Sequence, residues 1–239
     1  MQKRTITVNS DYLAIDGNEI DNIVLSLSSK EQDSFIDPET NSSTQTDLNL
    51  GEYGLVVLQT NHIANTLKEI YNIRIEECKQ ALETIRKNGF NVDRLTQLEL
   101  KKIFKIKFDP KVLAKRAIHV ISENERFKSA IESLNFGDIS KLARVLNESN
   151  YSLSCNFGVS NEFLDSLIYH ARSYKGCIAA KITGDLFGES IVALVDKMGI
   201  ERFIKHVARG YDKDTGLALT GFTTRIGDHL FENNEMVIA

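Results

Sequence analysis

The residues of this 239-residue chain best suited to chemistry lie in the stretch 177–195, CIAAKITGDLFGESIVALV. Two β-rich runs flank a glycine-bearing turn, Thr183-Gly184-Asp185-Leu186-Phe187-Gly188-Glu189. Backbone N–H groups in such a turn face an anion when small residues let a phosphate approach. Here Asp185 and Glu189 add negative charge and Leu186 adds bulk, all of which oppose a polyphosphate. On residue types alone the segment reads as an ordinary strand-to-strand turn.

Other reactive residue types are scattered. Cys78, Cys155 and Cys177 are far apart, which excludes a Cys-x-x-Cys knuckle and reads as three reduced thiols. His62, His119, His170, His206 and His229 show no metal-ligand spacing, so no metal site is expected. Asp21, ahead of Ile23, Val24 and Leu27, reads on pattern alone as an acid at a helix start.

The surrounding elements read as one compact α+β unit. With 42% hydrophobic and 26% charged residues the chain can bury a core, and its interspersed net charge of −4 gives no nucleic-acid footprint. Nothing approaches a membrane span or a secretory h-region, so a cytoplasmic protein is expected. Residues 33–50 are polar and turn-rich; 53–61, YGLVVLQTN, reads as a buried strand; 63–88 carries apolar residues at helical spacing. A helix is expected from Asp109, with Asp109 as N-cap and Pro110 at the first helical position. Further helices are expected at 139–146, at 161–173 capped by Ser160, and at 198–211, with a last strand at 217–226. This order predicts an antiparallel sheet packed by helices.

Four segments, the passage 50–78, RAIHVISENER at 116–126, NESNYSL at 147–153 and the turn at 183–190, together and in this order resemble one family, the GHMP small-molecule kinases in their galactokinase form. Residues 116–126, RAIHVISENER, are similar to its Arg-Ala-x-His-Val-x-x-Glu-Asn-x-Arg helix. Residues 147–153, NESNYSL, are similar to Asn-Glu-Ser-His-x-Ser-Leu, and the passage 50–78 ends like the family's Tyr-Asn-Glu-Arg-Arg-x-Glu-Cys. The turn at 183–190 resembles the third signature, Thr-Gly-(Gly/Ala)-Gly-Phe-Gly-Gly-Cys: Thr183, Gly184, Phe187 and Gly188 match, whereas Asp185, Leu186, Glu189 and Ser190 depart. After the Ser-Leu pair the family reads Arg-Asp-Asp-Tyr-Glu-Val-Ser, and this chain has 154–160, SCNFGVS. A gapless alignment of 11–22, DYLAIDGNEIDN, puts Asp21 on the catalytic aspartate and Asn18 on the glycine near the sugar.

The resemblance implies a GHMP C-terminal sandwich over 62–239, preceded at 1–61 by a remnant of the N-terminal domain. It implies Asp21 as the base for a sugar's anomeric hydroxyl, Tyr71 as a sugar contact alongside Asn18, and a nucleotide-loop remnant in Thr183, Gly184, Asp185, Phe187 and Gly188. Read structurally, Tyr71 is a helix aromatic packed on a strand. Mg-ATP is the family's phosphoryl donor and galactose or a related hexose its acceptor. The family's Arg/Gly-Glu-His and Pro-x-x-x-Gly-Leu-Ser-Ser-Ser-Ala segments occur nowhere in the printed sequence and are expected before residue 1. The expectation is therefore a chain that binds no ATP and transfers no phosphate by itself. The alternatives are half of a kinase working with a separate ATP-binding chain, and a non-enzymatic sugar-binding or regulatory module. Apolar surface left by missing strands is expected to favour a homodimer.

Overall fold

The computed structural model of the chain describes residues 34–36, 43–45, 50–62, 67–183, 190–224 and 235–238. Ser34–Ile36 (β1) and Ser43–Gln45 (β2) form a short antiparallel pair. The main sheet is antiparallel and five-stranded: Tyr53–Gln59 (β3), Cys177–Thr183 (β4), Ser190–Asp196 (β5), Leu219–Thr224 (β6) and Glu235–Ile238 (β7), in the order β4-β5-β3-β6-β7. Strand β3 thus lies between two strands that follow it by more than a hundred residues.

Side-chain alternation along β3 explains the layers. Leu55 and Val57 join Val192 and Leu194 of β5 in a cluster with Phe127, Ala130, Leu142 and Leu146. Val56 and Leu58 join Ile191, Ala193 and Val195 in the larger cluster with Leu164, Leu167, Phe203 and Val207. Strand β5 is therefore apolar at nearly every position, as a strand covered on both faces must be. The helices supplying these layers are Val112–Asn135 (α3) and Ile139–Ser152 (α4) on one side, and Glu162–Ser173 (α5) and Ile200–Thr215 (α6) on the other. Leu67–Lys87 (α1) packs on α3, and the short Leu100–Ile103 (α2) lies in the connection between them.

The α+β expectation holds, with corrections at the helix ends. Asp109 does not cap α3: the Pro110 carbonyl accepts the Leu113 N–H in a preceding turn, and the helix begins at Val112. Helix α5 is capped by Asn161, whose Oδ1 accepts the Leu164 N–H at 2.9 Å, while Ser160 donates its hydroxyl to Asp165. Helix α4 runs to Ser152 and continues as a π-turn over Leu153–Phe157. Helix α6 starts at Ile200, after a turn in which the Asp196 carboxylate accepts the Met198 N–H.

Candidate functional site

Strand pairing brings four polar positions to one end of the sheet. Thr183 closes β4 opposite Ser190, which opens β5, and Gln59 at the end of β3 lies opposite both Ser190 and Thr220. Thr183 and Ser190 are buried. The connection that joins them, with Gly184, Asp185, Phe187 and Gly188, lies outside the described residues, as do Asp21 and Asn18.

At the same end the chain leaves β3 and turns toward α1. Asn61 adopts a left-handed backbone (φ 53°), which asparagine tolerates better than most residues, and donates from Nδ2 to Ala218 O and Thr220 Oγ1 at 3.0 Å each. The Tyr211 hydroxyl donates to the Thr60 carbonyl at 2.7 Å. Burial pushes the Tyr211 phenol above its ordinary range, against the hydrogen bonds of Thr215 and Thr60. The His62 ring stacks on Phe163 at 3.8 Å. Tyr71 follows in the first turns of α1 and is buried in the larger core cluster. Neither Asn61 nor Tyr211 stood out in the sequence, because a turn residue and a helix tyrosine carry no spacing signal by themselves.

The motif 116–126 becomes a buried polar seam. Arg116, His119, Glu123 and Arg126 recur at steps of three, four and three along α3, so they share one helix face. Arg116 pairs through Nε with Glu77 of α1 at 2.6 Å and donates to the Asn156 carbonyl. Arg74 bonds Glu77 at 3.0 Å and the Gly158 carbonyl at 3.0 Å. His119 Nδ1 lies 2.9 Å from Ser152 Oγ, and its ring stacks on Phe157. Ser149 donates to Glu123 Oε2 at 2.6 Å, and Arg126 donates to the other carboxylate oxygen. Burial pushes the Glu123 carboxyl above the usual carboxylate range, while Arg126, buried Lys181 of β4 and Ser149 pull the other way. Gly158 ends the π-turn in the left-handed region (φ 73°), and an added Cβ would stand 3.3 Å from Arg116 Nη1.

Among the described residues no three His, Cys, Asp or Glu side chains gather as metal ligands. The three cysteines are free thiols, and burial pushes Cys177 up to about 11, which keeps it protonated at neutral pH. A groove of about 730 Å³ lies among Tyr53, Arg126, Arg144, Asn147, Tyr151 and Ile178. Tyr53 and Ile178 belong to the opposite end of the sheet from Thr183, and of the described residues singled out for sugar or nucleotide neither Tyr71 nor Thr183 lines this groove. No helix among the described residues is long and apolar enough to cross a membrane.

Residues 127–213 match the family GHMP kinases C terminal. The chain is 29% identical over 223 residues to a galactokinase of Clostridium perfringens, a match covering 92% of this chain and 57% of that protein. It is 30% identical over 226 residues to a galactokinase of Clostridium tetani, covering 93% and 57%. The fold superposes on Lactococcus lactis galactokinase complexed with galactose with a TM-score of 0.77 at 25% identity, over 88% of this chain and 53% of that one. The chain thus spans a little over half the length of the relatives it matches.

Proposed function

This chain is galactokinase-like, corresponding to the C-terminal part of that GHMP kinase type, and from that premise we propose that it forms the sugar-side and loop-bearing portion of a sugar kinase. The observation that carries the reading is the sheet end: the β4–β5 connection with the Thr183 motif leaves the sheet where β3 passes through Asn61 into the helix of Tyr71. In this reading Tyr71 donates a hydrogen bond to a hexose hydroxyl. Asp21 orients or accepts the anomeric hydroxyl proton, with Asn18 nearby. The acceptor is galactose or a related hexose.

The donor in this reading is Mg-ATP, bound as substrate. Phosphoryl transfer is mostly positioning and charge stabilisation, and both depend on donors that close around the phosphates. The 183–189 segment supplies Thr183, Gly184 and Gly188 for that task. Asp185 and Glu189 oppose it, because like charges beside a polyphosphate in a partly desolvated loop cost on the order of several kcal/mol. We therefore assign no phosphoryl transfer to the 239-residue polypeptide on its own.

Calorimetric titration with galactose and with Mg-ATP, together with a coupled assay over several hexoses, tests the reading. The expected result is no nucleotide signal and no turnover for the chain alone. Turnover abolished by Asp21→Asn would show that these residues are kinase-competent. Turnover appearing only when the N-terminal portion of a galactokinase is added would identify a two-chain enzyme.

A further inference from the structure

Strand β4 is the outermost strand of the sheet, yet its outward backbone groups are occupied. Asn147 of α4 donates from Nδ2 to the Ile178 carbonyl at 2.9 Å and accepts the Ala180 N–H on Oδ1 at 3.2 Å. Asn150 accepts the Ile182 N–H on Oδ1 at 3.0 Å. Arg172 of α5 donates to the Ala180 carbonyl at 2.9 Å, and the Lys181 ammonium reaches the Ile182 carbonyl at 3.2 Å.

The geometry has a simple basis. Outward N–H groups of a strand recur every second residue, roughly 6.7 Å apart. Residues three apart on a helix are separated by about 4.5 Å along its axis, and the reach of two asparagine side chains covers the difference. A carboxamide offers a donor and an acceptor in one plane, as a peptide unit does. Asn147 uses both on successive groups of β4, just as a peptide of a neighbouring strand would.

We infer that Asn147 and Asn150 are positioning residues: they act as a surrogate neighbour strand that holds β4 from its outer side and thereby fixes where the chain stands at Thr183. Asn150 is 5% exposed and bonds the residue immediately before Thr183, so its acceptor is the last fixed point before the 184–189 connection. A strand gripped on one edge only is freer to shift in register at its end. Here the outer N–H groups are gripped by side chains of α4, with Arg172 of α5 on the Ala180 carbonyl. The holding of β4 is independent of the kinase reading; only its importance for nucleotide rests on that reading.

Residue-resolved amide exchange on the full 239-residue chain tests this. Ala180 and Ile182, whose N–H groups point away from β5 to Asn147 and Asn150, are compared with Lys181 and Thr183, whose N–H groups by strand alternation point to β5. Asn150→Ala should speed exchange at Ile182 at least 10-fold while the inward amides change little, and should move the amide resonances of Thr183 and Ser190. Asn150→Asp, which keeps an acceptor, should restore both. Asn150→His should protect Ile182 at pH 8 and lose that protection at pH 5, after correction for intrinsic rates, because a protonated imidazole cannot accept. If Asn150→Ala unfolds the chain, all amides speed up together, and the pH contrast in Asn150→His decides. Unchanged exchange at Ile182 in a folded Asn150→Ala, unmoved Thr183 and Ser190 resonances, or equal protection of Asn150→His at both pH values would each overturn the inference.

Discussion

The α3–α4 seam and the sheet end at Thr183 both carry segments that resemble the same family, but they hold their polar groups differently. In the seam, Arg116, His119 and Glu123 are each engaged by a neighbouring element, and Arg126 pairs with Glu123 along the same helix. At the sheet end, Thr183 and Ser190 face a connection in which four of eight motif positions depart from the family pattern. The segment nearest to the family is therefore scaffold, and the segment that would touch phosphate is the altered one. Resemblance concentrated in buried polar contacts reports the fold faithfully and says little about turnover.

The contrast can be broken first at the seam. Arg116→Ala removes one of the two guanidiniums on Glu77, leaving Arg74, and takes the donor from the Asn156 carbonyl; it should cost about 2–3 kcal/mol in urea denaturation. Arg116→Met with Glu77→Leu and Arg74→Met should recover much of that loss, since well-packed apolar residues replace a buried Arg–Glu–Arg triad at little cost. A loss for Arg116→Ala below about 1 kcal/mol would remove the seam from the scaffold. Next comes the apolar core itself: Leu58→Ala, at a position with 0% exposure on the central strand, should cost about 2–5 kcal/mol. An unchanged midpoint there would mean that the sheet does not carry the core.

Gly158→Ala should cost about 1 kcal/mol or more, because a left-handed backbone is strained for alanine and the new methyl crowds Arg116. Its melting curve is the check, and a stabilised variant would contradict the turn geometry. The subtlest test is a slope. Glu123 has its folded pKa raised by burial, so its contribution is fully present below the unfolded carboxylate value and is lost as pH rises through the folded one. Glu123→Gln should match wild type near pH 4 and gain on it toward pH 8. Parallel stability curves over that range would show that the carboxyl titrates normally.

Much of this fold was legible because periodicity reports burial. The run 53–61 gave β3, the turn at 184–189 gave β4 and β5, and the stripe through Leu113, Ala117, Val120 and Ile121 gave α3. The helix ends were harder, since Asp109, Ser160 and Asn161 all have capping chemistry and only tertiary placement chooses among them. The seam was legible as a motif but not as a structure: four charged or polar residues on one face read equally well as a solvated surface. Lys181, hidden within an apolar strand, gave no sign that it would lie near a buried glutamate. Asp21 and Asn18 rest on alignment alone, and the groove at Tyr53 and Arg126 had no linear signature because its lining comes from four elements.

The position of β3 between β5 and β6 bears on how the polypeptide is made. On the ribosome this apolar strand is finished about 130 residues before its first sheet partner emerges. At roughly 5–20 residues per second that is a wait of roughly 7–26 s with both edges of β3 unpaired, while only helices are at hand to cover Leu55, Val56 and Leu58. Nascent chains halted anywhere between β3 and β5 should therefore present the same sticky segment to chaperones, and that exposure should vanish once β6 has cleared the exit tunnel.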